Sequence, residues 1–275
     1  MIRAGSAALL ASVCALAVAG CAPMRSGAGP WTADPILERQ LDRAEEPTDG
    51  RRYIFVGIAM SDRSPAFDGD IRIVDRILGH HYGAAYRSVL LSNQEQIDEI
   101  RDLPLATPRN IDLVVQRLRA ARRPDDRFIL LFTSHGAKGV LAEQSSESHN
   151  LDGTVRSAIL GRWVKALAPN RTWVMISACY SGSHLDQVMG SEVVAMTAAD
   201  ADHASLGCGT LNRTTFFVGA LARSLDFDRS FAEVWSETER RIADWEKKLG
   251  YEGAHPQLRF GEGLSALEAE PLSRF

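Results

Sequence analysis

The sequence predicts an α/β fold, with a mostly parallel central sheet covered by helices on both faces. Three observations carry this reading. Short, almost wholly apolar runs recur along the chain, at residues 52–57, 88–91, 128–132, 172–177 and 193–196. Stretches with the apolar spacing of amphipathic helices separate them. The composition is that of a globular chain able to bury a sizeable core: 275 residues, 45% hydrophobic and 24% charged.

Each element has a local reason. Residues 52–57 are β-rich, short and apolar, the pattern of a buried strand. Residues 70–78 carry Ile71, Ile73, Val74 and Ile77 as a helical stripe, with Gly79 at the position of a C-terminal glycine and His80-His81 just beyond it, where they suit the helix dipole. Thr107-Pro108 opens a helix as N-cap and first residue, and its core face is Ile111, Val114, Val115 and Leu118. Residues 155–167 read as helical. Ser230-Phe231-Ala232-Glu233 is a capping box that starts a long helix with apolar positions at 231, 234, 235, 242, 245 and 249. Its Trp235 and Trp245 read as core residues at helical spacing.

The N-terminus reads as an address. Arg3 supplies a positive charge, and residues 7–19 are nearly all small or apolar. That run has the length of a signal-peptide core and falls short of the roughly 20 residues of a membrane span. It ends in Val18-Ala19-Gly20-Cys21, which resembles the bacterial lipobox. The resemblance implies cleavage before Cys21 and a lipid on its thiol, each buried CH₂ contributing about 0.8 kcal/mol of membrane affinity. An ordinary signal peptide with a chance cysteine is the plainer reading. Ala22 rather than Asp after the cysteine implies the bacterial outer membrane, with the protein facing the periplasm. The expected organisation is a lipoprotein signal at 1–20, a tether at 21–50, one domain at 51–263 and a tail at 264–275. Within the tether, residues 38–46 allow a short helix.

Charge and cysteine content narrow the function. A formal net charge of −4 gives no global basic field, so nucleic acid is not an expected partner. Four cysteines without Cys-x-x-Cys spacing make neither a disulfide scaffold nor a metal site. Cys14 leaves with the signal and Cys21 takes lipid, so Cys179 and Cys208 are the remaining thiols.

In open α/β sheets, ligands bind at the carboxyl ends of the strands. The third apolar run leads into Thr133-Ser134-His135-Gly136, and the fourth into Ser177-Ala178-Cys179-Tyr180-Ser181-Gly182. If these strands are neighbours, an imidazole and a thiol face one cleft. A base near a thiol favours thiolate or takes the proton during attack. The N–H groups of Gly136 and Cys179 are then candidates to bind a developing oxyanion. Taken alone, a cysteine after an apolar strand is usually core and a histidine beside glycine is usually loop. Their pairing at successive strand ends favours catalysis.

Thr-Ser-His-Gly, followed 44 residues after its histidine by the cysteine of Ser-Ala-Cys-Tyr-Ser-Gly, resembles the legumain-type cysteine peptidases of the caspase-like clan. Residues 197–208, beginning Thr197-Ala198-Ala199, resemble the family's segment after the nucleophile strand, and Thr215-Phe216-Phe217-Val218-Gly219 its next aromatic-Gly segment. The likeness spans about residues 51–260 and is strongest to the bacterial, often lipid-anchored branch. It implies a three-layer caspase-like fold, His135 as general base and Cys179 as nucleophile. It further implies an oxyanion hole with Gly136, thioester acyl transfer, a peptide or protein substrate, and no cofactor or metal.

The sequence also departs from that family. Legumains hold substrate asparagine partly through an Arg-His pair after the first strand, where this chain reads Met60-Ser61-Asp62-Arg63-Ser64-Pro65. They carry an acid after the aromatic-Gly segment, where this chain has Ala220. Asparagine specificity is therefore not expected. Ser61 or Asp62 is the candidate for the orienting residue, and Asp200, Asp202 and Ser205 are candidates to line a different first pocket. A solvated loop is the plain reading of the two acids. His184 and Asp186 lack a third metal ligand. The expected function is a membrane-anchored cysteine endopeptidase. A non-catalytic peptide- or wall-binding lipoprotein and a transpeptidase or ligase using the same dyad stay open. The sequence gives no oligomeric state.

Overall fold

A computed structural model of the chain describes residues 34–94, 102–146 and 151–275, with the side chains of 151 and 152 excepted. The expected lipobox and signal segment lie outside the described residues. The elements run α1 (Pro35–Glu45), β1 (Tyr53–Ala59), α2 (Pro65–Tyr82), β2 (Tyr86–Ser92), α3 (Pro108–Ala121) and β3 (Arg127–Thr133). They continue with β4 (Gly136–Ala137), β5 (Val140–Ser145), β6 (Leu151–Arg156), α4 (Ser157–Ala166), β7 (Thr172–Ser177) and α5 (Leu185–Val188). The last are β8 (Val193–Thr197), α6 (Phe216–Ser224), α7 (Phe231–Leu249) and β9 (Gln257–Phe260).

Six strands form one sheet in the order β2-β1-β3-β7-β8-β9. All pairs are parallel except β8 with β9. The five parallel strands are those expected from the apolar runs, and β7 agrees residue for residue. Their continuous hydrophobicity follows from the layers. Ile54, Val56, Phe128, Leu130, Val174 and Ile176 pack in one core with residues of α1, α3, α4 and α5. The alternate residues Phe55, Ile129, Leu131, Trp173 and Met175 pack in a second core with α2, α6 and α7. Each strand thus has two dry faces. Gly57 on β1 lets α2 approach: a Cβ there would lie 2.9 Å from the Ile71 Cβ.

Several boundaries differ from expectation. Helix α2 begins at Pro65, capped by the Ser64 hydroxyl, and runs through Gly79 to Tyr82. Its terminating glycine is Gly83, at φ +53°, so His80 and His81 sit inside its last turn. Helix α4 starts at Ser157, and the two residues before it close β6. The compact unit runs from Ala33 to Phe275. It takes in residues 35–45, read as tether, because Leu37, Leu41 and Ala44 of α1 are buried in the first core. It also takes in the expected tail, whose Leu264, Leu267, Leu272 and Phe275 are buried in the second. Leu249, expected on the core face of α7, is exposed, and Trp245 is only partly buried.

A small antiparallel sheet β4-β5-β6 branches off directly after His135. No sequence signal announced it, since β5 buries Glu143 and Ser145 beside a single apolar Leu141. At the opposite margin, α1 covers the edge strand β2. The Gln40 amide accepts from Leu90 N–H at 2.6 Å and donates to Leu90 C=O at 3.1 Å, standing in for a further strand.

The amino ends of the strands are tied by a buried ion pair. Arg52, just before β1, donates to both carboxylate oxygens of Asp126, just before β3, at 3.1 and 2.6 Å. Its remaining N–H groups reach the carbonyls of Ala44, Glu45 and Ala121, the ends of α1 and α3. Arg52 is 2% exposed and Asp126 fully buried. Arg52→Met would leave the Asp126 charge without its bidentate partner, and breaking a buried pair from one side costs about 3–5 kcal/mol. Urea unfolding should show a loss of about 3 kcal/mol or more on that scale; a loss under about 1 kcal/mol would contradict the clamp.

Candidate active site

The strand order reverses at β1, whose neighbours are β2 on one side and β3 on the other. Such a switch point opens a crevice at the carboxyl ends of the strands. On its β3 side, β3 and β7 pair in parallel up to Thr133 opposite Ser177. The Ser134 N–H donates to Ser177 C=O at 3.1 Å, which extends the pairing one residue further. His135 and Cys179 each follow the last strand residue by two positions. The structure therefore brings these two predicted residues to one sheet mouth.

Gly136 is held where a side chain has no room. A Cβ there would lie 2.6 Å from the Cys179 carbonyl oxygen and 3.0 Å from the Ala178 Cβ. The His135 carbonyl accepts from Ala142 N–H at 2.9 Å. That bond makes Gly136 and Leu141 a non-hydrogen-bonded pair and leaves the Gly136 N–H out of the ladder. Among the described residues, no backbone hydrogen bond uses the Cys179 N–H. Two N–H donors at adjacent strand ends are thus uncommitted.

His135 is half-buried, with its ring edge-on to Phe67 of α2 at 5.0 Å between centroids. Burial lowers its pKa below the ordinary 6.5, which favours the neutral imidazole, the form that accepts a proton. Cys179 is a half-buried free thiol. Its Sγ lies 3.5 Å from the Ser205 carbonyl oxygen and 3.9 Å from the Ser205 hydroxyl. His135 and Cys179 are not hydrogen-bonded to each other; such contacts often tighten only around substrate. Cys208 is also free and partly buried. Burial, with the nearby Cys179, raises its pKa, which keeps it a thiol.

The cysteine turn is pinned to the loop after β8. Tyr180 sits in the left-handed region at φ 57°, a rare place for a tyrosine. Its N–H donates to His203 C=O at 2.9 Å, and Gly182 N–H to Ala199 C=O at 2.9 Å. The Ser181 hydroxyl accepts from Ala199 N–H at 2.9 Å. On the other side, Ser183 accepts from Gly139 N–H in the β4–β5 turn at 2.9 Å. His184 is fully buried, hydrogen-bonded to Ser157 at 2.7 Å, with its pKa pushed down to about 4 by burial. Asp186 is exposed, and among the described residues no cluster of three metal-ligating side chains occurs.

The other predicted pocket residues are placed as follows. Ser61 is fully buried, donating to the Gln144 side chain at 2.9 Å and accepting from Arg63 N–H at 3.2 Å. The Asp62 carboxylate accepts from Ser146 N–H and lies 3.5 Å from the Arg63 guanidinium. Neither side chain touches His135. Asp200 turns inward on its own loop, accepting from Asp202 N–H at 2.8 Å, His203 N–H at 2.9 Å and the His203 ring at 2.8 Å. Desolvation opposes its charge, but these bonds outweigh it and hold its pKa low. Asp202 pairs with Lys138 of the β4–β5 turn at 2.6 Å, both largely exposed. Ser205 alone of this set touches Cys179.

One group escaped sequence reading. Asp70 is fully buried on α2, one turn after Phe67. It accepts from the Thr133 hydroxyl at 2.8 Å, and from the Thr215 N–H and hydroxyl at 2.9 Å each. The Thr215 hydroxyl also bonds Ser177 at 2.8 Å. Both last residues of β3 and β7 therefore meet at this carboxyl group. The signal was present: Phe67, Asp70, Ile71, Val74 and Leu78 share the buried face of α2, and an acid on such a face needs a partner.

Comparison with known proteins bears on the family and the fold. The model of the peptidase C13 family matches residues 114–244, a span that includes His135 and Cys179. Caspase-1 from Spodoptera frugiperda has a similar structure, with a TM-score of 0.54 and 13% sequence identity, over 76% of this chain and 86% of that one. At that identity the likeness shows the fold alone. No curated protein sequence matches the chain.

Asp70 also gives stability a pH dependence. Burial raises its pKa from 3.8 to about 7, against the lowering effect of its hydroxyl and N–H donors. Between these values the folded state binds a proton that the unfolded state has lost, so stability falls as pH rises through this window. The drop is of order 4 kcal/mol at most. Urea midpoints at about pH 4.5 and 7.5 should fall more for the wild type than for Asp70→Asn, which cannot ionise. Equal changes in the two proteins would contradict the assignment.

Proposed function

We propose that this chain, a legumain-type cysteine peptidase of the caspase-like clan by its peptidase C13 match and its fold, is an endopeptidase that works through a His135–Cys179 dyad. The observation that carries the reading is the position of His135 and Cys179, each two residues past the paired ends of β3 and β7. The lowered pKa of His135 supports its role as base. The uncommitted N–H groups of Gly136 and Cys179 support an oxyanion hole.

The steps follow from these groups. The Cys179 sulfur attacks the scissile carbonyl carbon as His135 takes the thiol proton. The Gly136 and Cys179 N–H groups receive the oxyanion. The C–N bond breaks, His135 returns the proton to the leaving amine, and a thioester remains. Water then attacks the thioester carbonyl, with His135 taking its proton and returning it to sulfur. The products are an acid and an amine, and both enzyme groups are restored. No step needs a metal or cofactor.

Asparagine preference is not part of the proposal. The loop after β1 spends Ser61 on Gln144 of β5 and Asp62 on Ser146 just beyond it. Ala220 is fully buried in α6 and carries no charge. The N-terminal lipobox further supports a mature chain that begins at a lipid-bearing Cys21, held at the outer membrane and facing the periplasm.

Three measurements test this reading. A positional peptide library, read by mass spectrometry with purified protein, should yield internal cleavages that Cys179→Ala abolishes. Cys208→Ala should keep most of the turnover, with the roughly 1 kcal/mol stability change of an ordinary point mutant. Equal activity of wild type and Cys179→Ala would end the peptidase reading, and cleavage confined to asparagine would contradict the specificity. Mass spectrometry of the protein from bacterial membranes should find Cys21 N-terminal and lipidated; an unmodified Cys21 would refute the anchor.

A further inference from the structure

We propose that Asp70, with Phe67 one turn before it on α2, positions the His135–Cys179 pair by holding the ends of β3 and β7 at a fixed spacing. The inference rests on the dyad reading above and adds to it residues that the reaction itself does not touch.

The geometry is specific. Thr133 and Ser177 are cross-strand partners, and each lies two residues before a member of the pair. Side chains two apart along a strand share a face. Thr133 and Ser177 continue the rows of Ile129, Leu131, Trp173 and Met175, which face α2, α6 and α7. His135 keeps the same side, because its ring meets Phe67 of α2. A shift of Thr133 or Ser177 therefore passes to His135 or Cys179 through two peptide units. Asp70 binds Thr133 directly and Ser177 through the Thr215 hydroxyl.

The same carboxyl group reaches the far wall of the cleft. Thr215 caps α6, its hydroxyl accepting from Val218 N–H at 3.3 Å. The next residue, Phe216, donates its N–H to Leu206 C=O at 3.1 Å. Leu206 adjoins Ser205, whose carbonyl and hydroxyl touch the Cys179 sulfur. One buried side chain thus joins both strand ends and the segment against the thiol. Its partners are hydroxyls and an N–H, with no cation among them. A hydroxyl–carboxylate hub of this kind fixes direction as well as distance, because each donor must point at one acceptor.

The test uses Asp70→Asn, Thr133→Val and the double variant. Asn keeps the shape of the side chain, and Val is isosteric with Thr. For each protein, kcat and KM are measured on the best library peptide and folding is checked by the thermal midpoint. The rate of Cys179 alkylation by iodoacetamide is followed by peptide mass spectrometry. Both single variants should fold, lose at least about tenfold in kcat and keep KM within about twofold, the split expected when alignment is lost and binding is not. The double variant should be little worse than Asp70→Asn, because both changes break one unit. Cys179 alkylation should slow in parallel. A folded Asp70→Asn with kcat within about twofold of wild type, or with the loss in KM alone, overturns the proposal. If Asp70→Asn does not fold, Thr133→Val decides by the same criteria. If the wild type cleaves no peptide, the peptidase reading fails separately. Alkylation then decides here, and an unchanged rate in a folded variant overturns the positioning role.

Discussion

The pairing of β3 with β7 up to their last residues is the constraint on which the rest of the molecule depends. It sets an imidazole and a thiol at one opening, and it brings Gly136 so close to the Cys179 carbonyl that only glycine fits. The close approach arises in the middle of a sheet with two dry faces. Neither strand can slip without moving both cores, since a one-residue slip turns every side chain to the wrong layer.

The two ends of the sheet are fastened by opposite electrostatic means. At the amino ends a full ion pair, Arg52 with Asp126, uses every guanidinium N–H and joins four elements. At the carboxyl ends Asp70 gathers hydroxyl and N–H donors without a cation. The loop after β8 keeps its own acids occupied, with Asp200 on His203 and Asp202 on Lys138.

Much of this was legible in the sequence, for reasons that particular residues make plain. The five parallel strands announced themselves because burial on both faces demands continuous apolar runs, as in Phe128 to Phe132. Thr107-Pro108 and the Ser230–Glu233 box marked helix starts because capping is a local matter. The placement of His135 and Cys179 at neighbouring strand ends was legible because both follow such strands. The β5–β6 hairpin was not, since its stability rests on cross-strand pairing rather than on local pattern. Nor was the place of α1: its three buried residues acquire meaning only against the rest of the first core. The burial of Asp70 is legible in the α2 stripe, but its partners are not, because they lie 63 and 145 residues away in the chain. The pocket acids rest on their place in the segment after β8, which says nothing of where a carboxylate points.

The seat of α1 on the margin of the sheet has a consequence for how copies of the molecule meet. An open edge strand offers its amide and carbonyl groups as a template for any other extended chain. On β2 that offer is withdrawn at Leu90, where the Gln40 side chain occupies both groups and a helix stands over the strand. The opposite margin ends in the short, half-exposed β9, which runs antiparallel to β8. On the β2 side, copies of the molecule that meet present a helix rather than unfinished sheet, so that contact there does not extend the sheet.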